Sequence, residues 1–272
     1  MTFPFPLSQA INPYYWGTVA FLFGTILGSF FSVIIHRVPQ GKSIVWPGSH
    51  CPSCKKKLAL WENTPLIGWL LVKGKCRQCK TPISPRYILL EITAGLIALA
   101  LFLLFFFFPE RMALDQFLGF CFLALAFLPI LAIDLKHFMI PDVITLPGIV
   151  LGLALSLIPG GFTPLDSLIG FLVGGLFLWG FGAFFSFFLK KEAMGFGDVK
   201  LVAMMGALFG YPVALGSIFG GALFGTLGSF ILFLATKSLQ KQIPFGPYLC
   251  IGGGIFVLFP EVITWWLNLY QY

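Results

Sequence analysis

Two aspartates lie where apolar segments of the chain meet polar ones. Asp134 ends an apolar run in the string Leu-Ala-Ile-Asp134, and Asp198 follows Gly195-Phe-Gly197 just before another apolar run. Two carboxylates brought together share one proton, because like charges a few ångströms apart cannot both ionise. Such a pair supplies a general base that activates water and a general acid that protonates a leaving amine. The alternative is that each aspartate only caps a helix at a membrane surface.

The residues around this pair carry two further expectations. Gly195 and Gly197 allow positive φ angles and the close approach of an extended substrate to the backbone. Asp142 follows Pro141 and precedes an apolar run, so we predict that it is the N-cap of a helix, where a negative charge is favourable.

Four of the six cysteines form two pairs, Cys51-Pro-Ser-Cys54 and Cys76-Arg-Gln-Cys79, with 21 residues between the pairs. Each pair can lie on a tight turn that points both thiolates at one ion, and two such turns complete a tetrahedral zinc site. Disulfides or free thiols are the alternative, and a reducing compartment disfavours disulfides. Because cysteine fills all four ligand positions, we expect the zinc to be structural.

The elements that must position these groups lie in a membrane. The chain is 58% hydrophobic and 10% charged, whereas soluble domains carry about 25% charged residues. We therefore predict an all-α polytopic membrane protein with about eight transmembrane helices, since each span needs about 20 apolar residues. The predicted spans are residues 16–35, 88–108, 117–133, 143–158, 167–189, 200–211, 213–235 and 248–268. The start of the chain lacks the basic region of a cleavable signal peptide, so the first span is expected to remain as an anchor.

The basic residues predict the orientation of these spans. If both termini lie outside, the inner loops are 36–87, 134–142, 190–199 and 236–247, and they hold 15 of the 17 Lys and Arg residues. Such residues are retained on the cytoplasmic side of membrane proteins. The net charge of +7 is thereby explained by topology and by attraction to the lipid bilayer, and we expect no nucleic-acid partner.

Residues 36–87, called the insertion below, separate the first span from the second. The insertion holds ten basic residues and the four paired cysteines, so we predict a small cytoplasmic zinc-ribbon-like domain.

Taken in order along the chain, these strings resemble the type IV prepilin peptidases. The strings are Gly28-Ser-Phe-Phe-Ser-Val-Ile-Ile-His-Arg37-Val-Pro39, the four cysteines, Glu62-Asn63-Thr-Pro65-Leu-Ile-Gly-Trp69, Ile83-Ser-Pro-Arg86-Tyr87 with Glu91, Ile133-Asp134 with Pro141-Asp142, Gly195-Phe-Gly-Asp198-Val-Lys200 and Ile243-Pro-Phe-Gly-Pro-Tyr248. They span nearly the whole chain. One position departs from the family pattern, because Ser32 stands where the family usually has Asn.

The resemblance implies a function and a catalytic pair. It implies a bacterial inner-membrane aspartyl peptidase that cuts the leader of prepilins or pseudopilins after Gly, at the cytoplasmic face, with Asp134 and Asp198 as the catalytic residues. It also implies N-methylation of the new N-terminus with S-adenosylmethionine as methyl donor, and it assigns no residues to that donor. The implied domains are an anchor at 1–35, a methyltransferase-associated four-cysteine domain at 36–87 and a peptidase domain at 88–272.

Two functions of other classes remain as alternatives. A transporter could use acids at the inner face to bind a cation or a proton, and a scaffold could use the zinc ribbon to bind a partner. A transport pathway should place an acid near the middle of a span, and no predicted span has one there.

Overall fold

The computed structural model describes residues 12–109, 113–159, 161–190, 194–237, 243–259 and 261. Its α-helices are α1 (Pro13–Arg37), α2 (Ile67–Leu71), α3 (Arg86–Phe107), α4 (Leu114–His137), α5 (Asp142–Leu155), α6 (Pro164–Leu189), α7 (Phe196–Thr236) and α8 (Gly246–Leu258). Across these ranges, extended backbone forms two isolated bridges, one between His50 and Lys57 and one between Lys75 and Pro82. The prediction of an all-α protein is confirmed.

Five of the described helices are long and apolar enough to cross a membrane, namely α1, α3, α4, α6 and α7. Two more, α5 and α8, are apolar but have only 14 and 13 residues. A span needs about 20 residues when it crosses the whole hydrocarbon core. The protein is therefore a multi-pass membrane protein in which some apolar helices are shorter than the bilayer is thick.

The predicted sixth and seventh spans form one element, α7, with a break inside it. Gly210 has φ 79° and ψ 173°, which no helix accommodates, and Pro212 follows it. Proline removes a helical hydrogen bond and clashes with the preceding turn, whereas glycine tolerates a positive φ. The break lies next to the boundary expected from the sequence, so the chain turns there without a loop. The predicted eighth span begins with α8, and its part beyond residue 261 lies outside the described residues.

The chain divides into two compact units, residues 1–111 and 112–272. In the first unit, α1 packs against α3 through small residues. A Cβ atom built at Gly28 would lie 2.7 Å from the Glu91 Cα atom, so glycine is what permits this approach. Small residues at such contacts are typical of helix packing in membranes, where van der Waals contact drives association.

The second unit is built around the first half of α7. Residues 201–210 are all buried, although they belong to one helix. A helix that is buried all round must be surrounded by other helices, and here α5, α6 and α8 pack against α7. Asp198 lies one turn before this buried segment, so the core of the unit holds it in place.

Candidate active site

Asp134 lies in the last turn of α4 and is only 4% exposed. The helix ends at His137, and the C-cap residue Phe138 adopts the left-handed conformation and donates its N–H to the Asp134 carbonyl. The carboxylate accepts the backbone N–H of Gly246, the first residue of α8, at 2.9 Å. A buried carboxylate needs such a donor, because an unpaired charge in a low-dielectric interior is very costly.

Asp198 lies in the first turn of α7, three residues after the N-cap Gly195. The Gly195 backbone hydrogen-bonds the Asp198 carboxylate, and the Asp198 N–H donates to the Gly195 carbonyl at 3.1 Å. A negative charge at this position is favourable, because the N-terminal N–H groups of a helix carry partial positive charge. Asp198 is thus not the N-cap of α7, and its carboxylate bonds back to the N-cap residue Gly195.

The fold brings the two aspartates together. The two carboxyl groups lie close enough for their charges to interact. Between their helices lies Ile140, which is 8% exposed. A Cβ atom at Gly197 would come within 3.0 Å of Ile140 Cβ, and one at Gly246 within 2.9 Å of Ile140 Cδ1 and 3.0 Å of Asp134 Oδ2. Glycine at both positions therefore allows α7 and α8 to close on the end of α4.

Asp142 has a different role from the one predicted. Pro141 is the N-cap of α5, Asp142 is its first residue, and no side chain caps the helix. The Asp142 carboxylate instead contacts Lys200 Nζ at 2.7 Å through each of its oxygens. This ion pair links the start of α5 to the first turns of α7, and the N-cap prediction is wrong. The acid still lies at the positive end of a helix, as expected.

Two adjacent carboxylates can act on a peptide bond at this position. One group, ionised, takes a proton from water as the water oxygen attacks the carbonyl carbon, and the other, protonated, gives its proton to the departing nitrogen. Asp198 is partly exposed, whereas Asp134 is buried and accepts the Gly246 N–H. The arrangement fits a hydrolytic acid–base pair.

The four paired cysteines of the insertion meet at one point. Their sulfur atoms all lie within 4.8 Å of one another. The Cys51 and Cys79 sulfurs are 3.8 Å apart, and those of Cys54 and Cys76 are 3.9 Å apart. Zinc bonds of about 2.3 Å to a tetrahedron of sulfurs give edges of about 3.8 Å. All six cysteines are free thiols, so the set fits a zinc ion better than it fits disulfides.

Both cysteine pairs are held by the same backbone pattern. The Cys51 carbonyl accepts the Lys55 N–H and the Cys76 carbonyl accepts the Lys80 N–H, each at 2.9 Å. Both lysines have left-handed φ angles, 60° and 58°, so each turn closes in the same way. In the second turn, the Thr81 hydroxyl hydrogen-bonds Cys79 and lowers the pKa of that thiol to about 6. A thiolate is the form that binds metal.

Three residues with clear structural roles were not proposed as functional residues from the sequence. Gly246 belongs to the string Ile243-Pro-Phe-Gly-Pro-Tyr248, and its position before an apolar run was the available signal. Nothing in the sequence indicates the role of Ile140, because an isoleucine beside a proline is common. Glu91 was named only as part of a family string, and its signal was that an acid inside an apolar helix is costly unless it is paired or functional.

No residue can be assigned to a methyl donor. The insertion has one carboxylate, Glu62, and the adjoining helix has Glu91. Each accepts a backbone N–H at 2.8 Å, from Ala59 and Leu66 respectively. Both carboxylates therefore hold the backbone of this region.

Comparison with known proteins places these two regions in known families. Residues 22–105 match the Bacterial Peptidase A24 N-terminal domain, and residues 117–233 match the Type IV leader peptidase family. Proteins named prepilin leader peptidase/N-methyltransferase are similar over nearly their whole length. Those of Aeromonas salmonicida (strain A449), Stutzerimonas stutzeri and Pseudomonas aeruginosa are 34%, 35% and 34% identical, over 93%, 94% and 94% of this chain and 94% of each relative.

No solved structure gives a significant match to the chain. The second family match nonetheless contains both aspartates, Lys200 and the break in α7, and the first contains all four paired cysteines. With relatives of this identity across both regions, the chain belongs to the type IV leader peptidase family.

Proposed function

We propose that this protein is a membrane aspartyl endopeptidase that removes the leader peptide of type IV prepilins or pseudopilins, with Asp134 and Asp198 as its catalytic residues. The observation that carries the proposal is the close packing of the starts of α7 and α8 on Ile140 and the end of α4, which brings the two aspartates near each other. Both residues lie in the part of the chain that matches the leader peptidase family. The relatives' name, prepilin leader peptidase, supplies the substrate class.

In this mechanism the pair acts on the bond after the leader glycine. One carboxylate removes a proton from water, the water oxygen adds to the carbonyl carbon, and the carbon–nitrogen bond breaks as the other carboxyl protonates the nitrogen. The Gly246 N–H stabilises negative charge on Asp134, and the Gly195 N–H does the same for Asp198. These backbone donors keep both side chains in position through the reaction.

The active site is proposed to face the cytoplasm, with both termini outside. The helix ends that build the site are the end of α4 and the starts of α5, α7 and α8. Lys136 lies in the last turn of α4 and Lys200 near the start of α7, so basic residues lie beside the pair. The retention of such residues in the cytoplasm then orients the site inward in the bacterial inner membrane.

The insertion is proposed to hold one structural zinc ion and to serve the second activity, N-methylation of the new N-terminus. Cys51, Cys54, Cys76 and Cys79 would be the ligands, and four thiolates leave no open position for Lewis-acid chemistry. When bound, S-adenosylmethionine supplies the methyl group. The relatives' name, N-methyltransferase, supports this activity, and the insertion lies in their N-terminal family domain.

A direct assay tests the peptidase. Detergent-purified protein is mixed with a purified prepilin, and the products are separated on a gel and weighed by mass spectrometry. The proposal expects a faster-migrating band whose mass equals the chain that begins after the leader glycine. An uncut prepilin, under conditions where a relative's enzyme cuts it, would overturn the proposal.

A further inference from the structure

Glu91 is a buried carboxylate that the proposed reaction does not use. It lies in α3, among apolar residues, and is 8% exposed. It accepts the backbone N–H of Leu66 at 2.8 Å and a hydrogen bond from the Ser29 side chain of α1. An ionisable group inside an apolar helix persists where it is paired or functional. Glu91 therefore joins α1, α3 and the insertion at one point.

The position of Glu91 indicates how deep this point lies. Glu91 is five residues after Arg86, the first residue of α3, which is about 7–8 Å along a helix that rises about 1.5 Å per residue. Its backbone faces Gly28, nine residues before the end of α1 at Arg37, or about 13 Å along that helix. The Leu66 N–H is thus held beside the flank of two membrane-spanning helices and not beyond their ends.

Leu66 is itself in a strained conformation. Its φ and ψ angles are 60° and −58°, and the Ile67 N–H contacts the Pro65 carbonyl at 2.6 Å. These values define a γ-turn with positive φ. Such a turn is strained and persists only where surrounding contacts impose it. The hydrogen bond to Glu91 is such a contact. The turn leads directly into α2, so the hydrogen bond to Glu91 lies at the start of that helix.

The two faces of α2 differ sharply. On one face, Gly68 is buried and the Trp69 ring packs against Gly74. A Cβ atom built at Gly74 would lie 2.7 Å from that ring. On the other face, three large apolar side chains at i, i+3 and i+4 spacing point outward. They are Ile67, Leu70 and Leu71, which are 54%, 59% and 62% exposed. Three large exposed apolar groups on one helix face mark an interaction surface.

The charge around this apolar face is strongly positive. The insertion contains ten Lys and Arg residues and one acid, Glu62. Lys73 and Lys75 follow α2 within four residues, and both are exposed. An apolar face flanked by basic residues is the composition of segments that lie in the interface of anionic bilayers, with the apolar side chains about 5–10 Å into the headgroup boundary.

We infer that α2 is an interfacial membrane element, held at the bilayer surface by Glu91. Ile67, Leu70 and Leu71 enter the boundary between headgroups and acyl chains, and the neighbouring lysines contact phosphates of anionic lipids. The occupant is the bilayer, because the hydrogen bond to Glu91 places the start of α2 at the depth where that boundary lies. The charge of the insertion also disfavours a basic peptide as the occupant.

Photocrosslinking of the full-length protein tests this surface. Leu70 is replaced by p-benzoylphenylalanine, the protein is placed in nanodiscs of equal phosphatidylcholine and phosphatidylglycerol, and the adducts are identified by mass spectrometry. Ser53, exposed between two zinc-ligand candidates, is the matched control position. We expect phospholipid adducts at position 70 at least about fivefold above those at position 53, with phosphatidylglycerol over-represented relative to its half share.

Other adducts would overturn the inference. A crosslink from position 70 to peptides of residues 112–272, to a second copy of the chain or to an added prepilin would identify a protein occupant. Equal yields of lipid adducts at positions 70 and 53 would show that α2 lies no deeper in the bilayer than the control position does.

A pair of variants tests the role of Glu91 separately. Glu91→Gln keeps an oxygen that can accept the Leu66 N–H, so lipid adducts at position 70 should persist. Glu91→Met keeps the size but removes the acceptor, so adducts should fall to the level at position 53. Thr93→Val, at an exposed position two residues away on α3, is the control for substitution in this helix. Undiminished adducts in Glu91→Met would rule out Glu91 as the positioning residue.

Discussion

The four-cysteine cluster and the aspartate pair assemble their groups in opposite ways. Each half of the cluster is a turn of six residues, closed by its own backbone hydrogen bonds, and the four cysteines lie within 29 residues of chain. The aspartate pair needs helix ends from three parts of the chain, and the bond from Gly246 to Asp134 spans 112 residues. A site closed by local turns can fold as a small module, whereas a site closed by long-range packing exists only when the helix bundle is complete.

This difference predicts how each site responds to damage. Removing a group from the pair should abolish its chemistry but leave the fold, because the packing of α7 holds the backbone. Removing a group from the cluster should loosen the module itself, because metal binding and folding are coupled in small domains.

The largest effect is expected from Asp134→Asn and from Asp198→Asn. Each should lower prepilin cleavage by at least about a thousandfold, because a shared-proton mechanism needs both groups and such residues act as a unit. The measurement is the initial rate of leader removal by purified protein. Asp166→Asn is the matched control, since Asp166 is an exposed acid that bonds only its own helix start at Thr163.

Membrane insertion of both variants should be unchanged, which the yield of monodisperse protein in detergent checks. Substantial cleavage by either well-folded variant would refute the assignment of the pair.

The next effect is expected in the zinc content. The native protein should carry one zinc per chain, and Cys51→Ser combined with Cys76→Ser should bring it close to zero, because each half of the site loses its buried ligand. Metal analysis of purified protein measures this, and Cys121→Ser, a thiol outside the cluster, serves as the control. Zinc retained in the double variant would exclude a four-cysteine site.

The same double variant should separate the two activities. Because the proposed catalytic aspartates lie in the other compact unit, leader removal should continue while the N-terminal methyl group is missing. Mass spectrometry of mature pilin after co-expression reads both modifications in one sample. If every cysteine variant leaves the leader attached, the insertion belongs to the peptidase and the separation is wrong.

A smaller effect is expected from Gly246→Ala. The new methyl group would lie 3.0 Å from Asp134 Oδ2 and 2.9 Å from Ile140 Cδ1, so the carboxylate must shift. Misplacement of a catalytic group by about 1 Å costs up to about a hundredfold in rate, and we expect a loss of about ten- to a hundredfold. Gly180→Ala is the control, because no atom lies within 4 Å of its Cβ position. Equal rates for the two variants would contradict the tight closure of α8 on α4.

The smallest effect is expected from Asp142→Asn, which breaks the ion pair with Lys200. The Asp142 side chain is 54% exposed, and exposed ion pairs contribute about 1 kcal/mol or less. Cleavage should therefore fall by no more than about fivefold, and Lys200→Gln added to Asp142→Asn should cost little more. A loss as large as that of Asp134→Asn would give Asp142 a catalytic role and contradict the choice of the pair.

The local features of this protein were predictable from its sequence. The two C-x-x-C strings predicted a single cysteine cluster, because each pair needs only a tight turn and the two turns need only a short connection. The apolar runs predicted the helices, because a span must be apolar along its length. Asp134 and Asp198 could be chosen as a pair only through the resemblance of their strings to a family, since spacing alone left helix capping open.

The tertiary structure decided what contacts these residues. The donor to Asp134 comes from Gly246, and no local pattern links positions 112 residues apart. Asp142 was predicted to be a helix cap, but it is the ion-pair partner of Lys200 because α5 and α7 pack side by side. Glu91 of α3 accepts the N–H of Leu66 in the insertion, 25 residues earlier in the chain. A hydrogen bond or ion pair between distant segments depends on how helices pack, and packing depends on the shape of the whole bundle, which a linear pattern does not contain.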